Sequence, residues 1–155
     1  MSKNQSLLLS AFFTSIIMII ISCSPDSCFE DTEAAVKASM YENTADKLIA
    51  PDSITLYGSD SGSDTIYNKK TNLDKVLFPL NPVAESCSFI IRINGITDTI
   101  TFEYTSYPHL ISKACGYTYY FTIQKPETTS NIIKKVTVTK NTITTMNEEN
   151  IRIYY

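Results

Sequence analysis

No tryptophan occurs in this chain of 155 residues, histidine occurs once (His109), and there are only four glycines and four cysteines. A single histidine leaves any nucleophile–base pair or histidine-bearing metal centre resting on one residue. The cysteines are scattered and form no CxxC, so no zinc site and no metal ligand set is expected. A strong charge of one sign is also missing, since thirteen Lys and Arg stand against sixteen Asp and Glu, for a net of −3. Such mild acidity gives no electrostatic footprint for nucleic acid, which is not expected as a partner. No apolar run reaches the roughly twenty residues that a membrane-spanning helix needs. Helical periodicity is nearly absent, whereas ten Tyr, seven Phe and many Thr and Ile favour strands. Apolar content is ordinary at 43%, so an ordered body is expected, of a size for one domain.

What is present begins at the N-terminus. A short polar start with Lys3 leads into a mostly apolar run from Leu7 to Ile21, followed by Ser22-Cys23-Ser24-Pro25. That is the three-part layout of a secretory signal. A helix that stays in the membrane is the competing reading, and the shortness of the run and its Ser10, Thr14 and Ser15 speak against it. Ile20-Ile21-Ser22-Cys23 resembles the lipobox of bacterial lipoprotein precursors, in which a small residue admits the peptidase and the following cysteine thiol accepts lipid. Cys23 is therefore the expected lipid attachment site. Each buried acyl methylene adds roughly 0.8 kcal/mol, so two or three chains would hold durably to a membrane. Residues 1–22 are expected to be the signal peptide, 23–33 an acylated N-terminus and tether, and 34–155 the folded domain. Ser24, rather than aspartate, after the anchor fits the outer membrane as destination, and Asp26, Glu30, Asp31 and Glu33 read as a solvated tether in preference to a sorting signal for the outer face. The expected place is thus the cell envelope, outside the cytoplasm.

An exported chain meets an oxidising compartment, where a disulfide among Cys28, Cys87 and Cys115 is expected. Strand parity turns Cys87 inward with Phe89, Ile91 and Ile93, and Cys115 inward with Tyr117, Tyr119, Phe121 and Ile123. A Cys28–Cys115 bond would close a long loop, for roughly 4–5 kcal/mol by chain entropy. A Cys87–Cys115 bond would staple two core strands, and residue pattern alone leaves both open.

The body reads as seven or eight short strands. Ala34 to Glu42 places Val36, Ala38 and Met40 on one side as a first strand, although its Ala, Lys, Met and Glu would equally suit a short helix; Ser53 to Tyr57 and Thr65 to Asn68 flank a turn at Gly58 to Gly62. Val76 to Pro82, broken by two prolines, reads as an edge strand or covering loop. Cys87 to Ile93 and Thr99 to Thr105 form a hairpin about Asn94-Gly95, with Ile100, Phe102 and Tyr104 inward and a slight offset expected because Ile96 and Thr97 begin the return. Tyr117 to Ile123, Ile133 to Thr139 and Asn150 to Tyr155 complete the set. An all-β fold is expected, a single β-sandwich that is Ig-like or an open barrel.

Candidate sites are few. His109 sits in Tyr107-Pro108-His109, which reads as a loop with a solvated histidine. The hydroxyl-rich faces (Thr97, Thr99, Thr101, Thr105, Thr137, Thr139) read as solvent-facing strand formers. Asp60-Ser61-Gly62-Ser63-Asp64 resembles a calcium loop in its alternate oxygens but has Thr65 and Thr71 where glycine and the closing acid belong, and so reads as a turn. Tyr117, Tyr119, Tyr120, Tyr154 and Tyr155 would suit a sugar or peptide surface, although core and rim packing is the commoner use of such rings. No catalytic constellation and no cofactor are expected. The preferred function is a non-enzymatic binding or structural module that presents strand edges or loops to an envelope protein or glycan. The alternative is a small envelope hydrolase using Glu85 and Glu103 as paired carboxylates.

The lipobox cysteine, a second cysteine close behind it, Phe78-Pro79-Leu80-Asn81, Thr99-Ile100-Thr101-Phe102-Glu103-Tyr104, Ala114-Cys115-Gly116-Tyr117 and Asn150-Ile151-Arg152-Ile153 together resemble a family of short Bacteroidota lipoproteins of unknown function. The resemblance spans nearly the whole mature chain. It implies an envelope lipoprotein with a β-rich domain and a Cys28–Cys115 disulfide, and supplies no activity. Cys87 is a departure from that family's pattern.

Overall fold

In a computed structural model, residues 27–59 and 65–155 are described. They form twelve strands and no helix. The first six are β1 (Ala35–Glu42), β2 (Lys47–Leu48), β3 (Ile54–Gly58), β4 (Thr65–Lys70), β5 (Lys75–Pro79) and β6 (Ser86–Ile93). The remainder are β7 (Ile96–Ser112), β8 (Gly116–Ile123), β9 (Glu127–Thr128), β10 (Lys135–Val138), β11 (Thr142–Ile143) and β12 (Ile151–Tyr154).

Alternation at period two decides what each strand buries. Val36, Ala38 and Met40 of β1 and Ile151 and Ile153 of β12 are buried, and the two strands lie parallel with Ala38 opposite Ile151 and Met40 opposite Ile153. Asn150, itself buried, locks this pairing. Its Oδ1 accepts the Lys37 N–H at 2.9 Å, and its own N–H donates to the Lys37 carbonyl at 2.9 Å. β10 adds to the outer side of β12, and β5 and β2 add antiparallel to β1, giving a five-stranded sheet.

The second sheet runs β11-β8-β7-β6-β3-β4, with β9 also on β7, and curls into a half-barrel. Between the sheets Phe78 of β5 meets Phe89 of β6 and Phe102 of β7, with ring centroids 5.3 and 5.2 Å apart. Removing one such buried ring typically costs about 3–5 kcal/mol. The fold is thus all-β, as the composition and the alternation predict. β4 lies at the edge of its sheet, and register shifts in its pairing with β3 break the regular edge.

Two details differ from expectation. The hairpin at Asn94-Gly95 has no offset: φ is 51° and 86° at the two positions, and Ile93 faces Ile96 directly. Two residues with positive φ match the twist of the strands they join, so pairing starts at once. The second difference is the length of β7. It continues through Tyr107-Pro108-His109 to Ser112, where a loop was expected, with Pro108 opposite Tyr119. β6 stops pairing at Glu103, so from there β7 has a strand on one side only, and a residue lacking an N–H is tolerated there.

Candidate functional site

Beyond Glu103, β7 and β8 form a long hairpin arm, and the N-terminus of the described chain is fastened to its tip. Cys28 and Cys115 are disulfide-bonded, with Cα atoms 4.7 Å apart. From there the segment leading to β1 runs back along β8, where the Thr118 hydroxyl donates to the Thr32 carbonyl at 2.6 Å. A two-stranded hairpin is marginal by itself in water. The crosslink and this third, irregular chain hold the arm in place. Gly116, with φ at 75°, supplies the left-handed turn that leads from Cys115 into β8.

The two faces of the arm differ. On one, Tyr104, Phe121 and Ile123 belong to the core. Pairing puts Pro108 and Leu110 of β7 beside Tyr119 and Tyr117 of β8 on the continuation of that same face. There the core has ended: Leu110 is 48% exposed, Tyr119 43% and Tyr117 74%. This corrects the expectation that Tyr117 and Tyr119 point into the core. Their parity is the inward one, but cover thins along the arm: Tyr119 still borders a depression with Thr32, Ala34, Pro79, Leu80 and Pro82, and Tyr117 does not. Phe29, next to Cys28, is 92% exposed at the same end.

On the other face His109 stacks on Tyr120 with ring centroids 4.1 Å apart, and Tyr107 meets Tyr120 edge-on at 6.1 Å. The Tyr120 hydroxyl lies 3.4 Å from that of Thr145. Directly across the ladder from His109 stands Thr118, whose hydroxyl is engaged with the Thr32 carbonyl. Tyr154 is buried in the five-stranded sheet, and the Tyr155 hydroxyl donates to the Ile49 carbonyl at 3.3 Å, so neither shares the arm's surface.

Glu85 and Glu103 do come together. They line one surface depression of about 420 Å³ with Ser86, Tyr104, Thr105 and Gln124. Both are exposed, whereas a division into acid and base needs two carboxylates in unequal surroundings. A wider depression of about 590 Å³ gathers Lys125, Lys134 and Lys135 around Pro126 and Val136. Among the described residues no group of three or more His, Cys, Asp or Glu is arranged to hold a metal, and no helix is long and apolar enough to cross a membrane. Cys23 and the segment Asp60–Asp64, where a turn was expected, lie outside the described residues.

Cys87 takes no part in the disulfide and sits partly buried beside Tyr104. The Tyr104 hydroxyl donates to the Asn81 carbonyl at 2.9 Å and accepts the Asn81 N–H at 3.2 Å, which ties the loop after β5 to the base of the arm. Burial, with a smaller push from Cys87, raises its pKa to about 12 against the opposing bond from Asn81.

Sequence reasoning missed Asp98, the one charged side chain among the buried polar residues, at 1% exposure. One carboxylate oxygen accepts the Thr129 hydroxyl at 2.5 Å and the Asn131 N–H at 2.9 Å; the other accepts the N–H groups of Ile132 and Ile133, both at 2.8 Å. Burial pushes its pKa up, but these four donors outweigh it and hold the carboxyl below its ordinary range. Asp98 shares the parity of Ile100 and Phe102, and that inward acid in an apolar register was the available signal. Its partners are all protein groups, so it fixes the loop after β9 rather than a ligand.

Among known proteins, no curated protein and no solved structure matches the chain. One family model does, over residues 53–155, which takes in Cys87, Cys115, the whole arm and Asp98 and leaves Cys28 outside. With two-thirds of its length so matched, the chain belongs to DUF6452, a family of unknown function.

Proposed function

We propose that the protein is a lipoprotein of the bacterial cell envelope, anchored through acyl chains on Cys23, with a β domain that serves as a non-enzymatic binding or structural module. The observation that carries this is the Cys28–Cys115 bond. Disulfides persist in oxidising compartments and are rare in the cytosol, which agrees with the secretory pattern from Lys3 to Ser22 and the lipobox at Cys23. The bond also fastens the chain to the tip of the β7–β8 arm five residues after the anchor, which suits a body that must be held close to a surface. An envelope protein or glycan is the partner such a module would take, and Ser24 in place of aspartate after the anchor fits the outer membrane as its destination. Feeding cells an alkyne-tagged fatty acid tests this: the wild-type protein should take up label and sediment with the outer membrane. The Cys23→Ser variant should take up none. Equal labelling of both, or of neither, refutes the anchor.

A hydrolase is the second reading, favoured by one observation, the shared depression of Glu85 and Glu103. Open solvent around both makes it the weaker of the two.

A further inference from the structure

The geometry points to the tip of the β7–β8 arm as a second membrane contact, in which Phe29, Leu110, Tyr117 and Tyr119 lie at the headgroup boundary of the bilayer that holds the lipid. This rests on the anchor proposed above and adds to it an orientation and a lipid-facing surface.

Three observations converge on that end of the molecule. First, exposed apolar surface is concentrated there. Of the eleven large hydrophobic side chains exposed among the described residues, five (Phe29, Tyr107, Leu110, Tyr117 and Tyr119) belong to the arm or to the segment bonded to it. Four of these adjoin the tip on Cys28's flank or on the face that continues the core; Tyr119 is partly sheltered by Thr32, Ala34, Leu80 and Pro82, while Phe29 and Tyr117 stand largely in solvent. Second, the chain outside the described residues departs from this very place. Cys28 is bonded at the tip, and Cys23 precedes it by five residues, a span of at most about 17 Å when fully extended. A bilayer that holds acyl chains on Cys23 therefore lies within one short tether of the exposed rings. Third, the side chains have the chemistry of that boundary. Tyrosine carries an apolar body and a polar tip, and such rings collect where hydrocarbon meets water.

Charge narrows the kind of lipid. Lys113 is exposed in the turn at the tip, but Glu30, Asp31 and Glu33 follow Phe29 along the tether-side segment. An anionic surface would repel these acids, and burying them in hydrocarbon would be costly. The fitting surface is a zwitterionic headgroup layer, with the rings in the outer few ångströms and the acids in water. Interfacial elements typically sink their apolar face roughly 5–10 Å into that layer. By this contact the module would stand on its arm, with the Asn94-Gly95 turn, at the opposite end of β7, away from the membrane.

The absence of tryptophan makes a direct test available, because a single introduced indole reports only its own position. The full acylated chain carrying Tyr117→Trp, and separately Leu110→Trp, is reconstituted into phosphatidylcholine vesicles with and without bromine on the acyl chains near the glycerol. Ile96→Trp, beside the far turn, is the control, and all three positions are exposed enough to accept the ring. Emission from the two tip reporters should shift to shorter wavelength and be lost in brominated vesicles, with the control unchanged. Protein that floats with the vesicles and carries acyl chains, yet shows no quenching at either tip position, overturns the membrane contact while leaving the anchor intact; the exposed face is then open to a protein or glycan. Quenching at Ile96→Trp equal to that at the tip overturns the orientation. Protein that carries no acyl chain and does not float overturns the anchor, and this contact with it.

Discussion

Replacing Asp98 by asparagine keeps the shape of the side chain and removes its charge, which isolates the role of the carboxylate. Asparagine offers one acceptor oxygen in place of two. Its best placement keeps that oxygen on the N–H groups of Ile132 and Ile133, Ile133 being fully buried, and turns the amide toward Thr129. The Asn131 N–H then loses its acceptor and must find water at a cost of about 1 kcal/mol, and the two retained bonds change from charged to neutral at about 1 kcal/mol each. The expected loss is thus about 3 kcal/mol. With a urea dependence of about 1.5 kcal/mol per molar, the midpoint of unfolding should fall by about 2 M at pH 7. The effect must also depend on pH in a fixed direction. Because the folded state holds the Asp98 carboxyl below its usual range, the unfolded chain takes up its proton first as the pH falls. The stabilisation is complete above the unfolded value of about 3.9 and drains away below it. The gap between wild type and Asp98→Asn should therefore narrow between pH 5 and pH 3. A variant within about 0.5 kcal/mol of wild type, or a gap that is the same at pH 7 and pH 3, refutes the reasoning.

Other perturbations probe the arm and its base. Removing the crosslink by Cys115→Ser should lower stability by up to about 4–5 kcal/mol for a separation of 87 residues, and reductant should weaken the wild type alike but not the variant, as read from urea midpoints. Tyr104→Phe leaves both polar groups of Asn81 without their partner and should cost about 1–2 kcal/mol by thermal or urea unfolding. In a spectrophotometric titration the same substitution should remove a phenol step near pH 12. Since folding raises that pKa, the stability linked to Tyr104 is whole below the unfolded value near 10 and is lost as the pH climbs from there toward 12.

How far the sequence could be read depended on how local each feature is. Alternation turned Val36, Ala38 and Met40 inward, and Ile100, Phe102 and Tyr104 likewise, because parity is a property of the strand itself. Asn94-Gly95 marked the hairpin because the turn needs two residues tolerant of positive φ. Parity could not say where the core stops. Tyr117 and Tyr119 have the same alternation as Phe121 and Ile123 but are exposed, because cover on that face depends on other segments of the chain. The parallel pairing of β1 with β12 joins residues more than a hundred positions apart and has no local signature. Pro108 suggested a loop because proline removes a ladder donor, and only the open side of β7 shows why it is accepted there. Asp98 has no local signature beyond its inward register, because the three N–H groups that its carboxylate satisfies lie more than thirty residues further on, after β9.

The envelope assignment is tested most directly by the intact mass of the protein extracted from its native membrane, measured before and after reduction with alkylation of the thiols. The expected species begins at Cys23, carries the added mass of two or three fatty acyl chains, and on reduction gains two further alkylation sites that map to Cys28 and Cys115. A chain that still carries residues 1–22 and no fatty acid, or one in which Cys115 is alkylated without reduction, contradicts it.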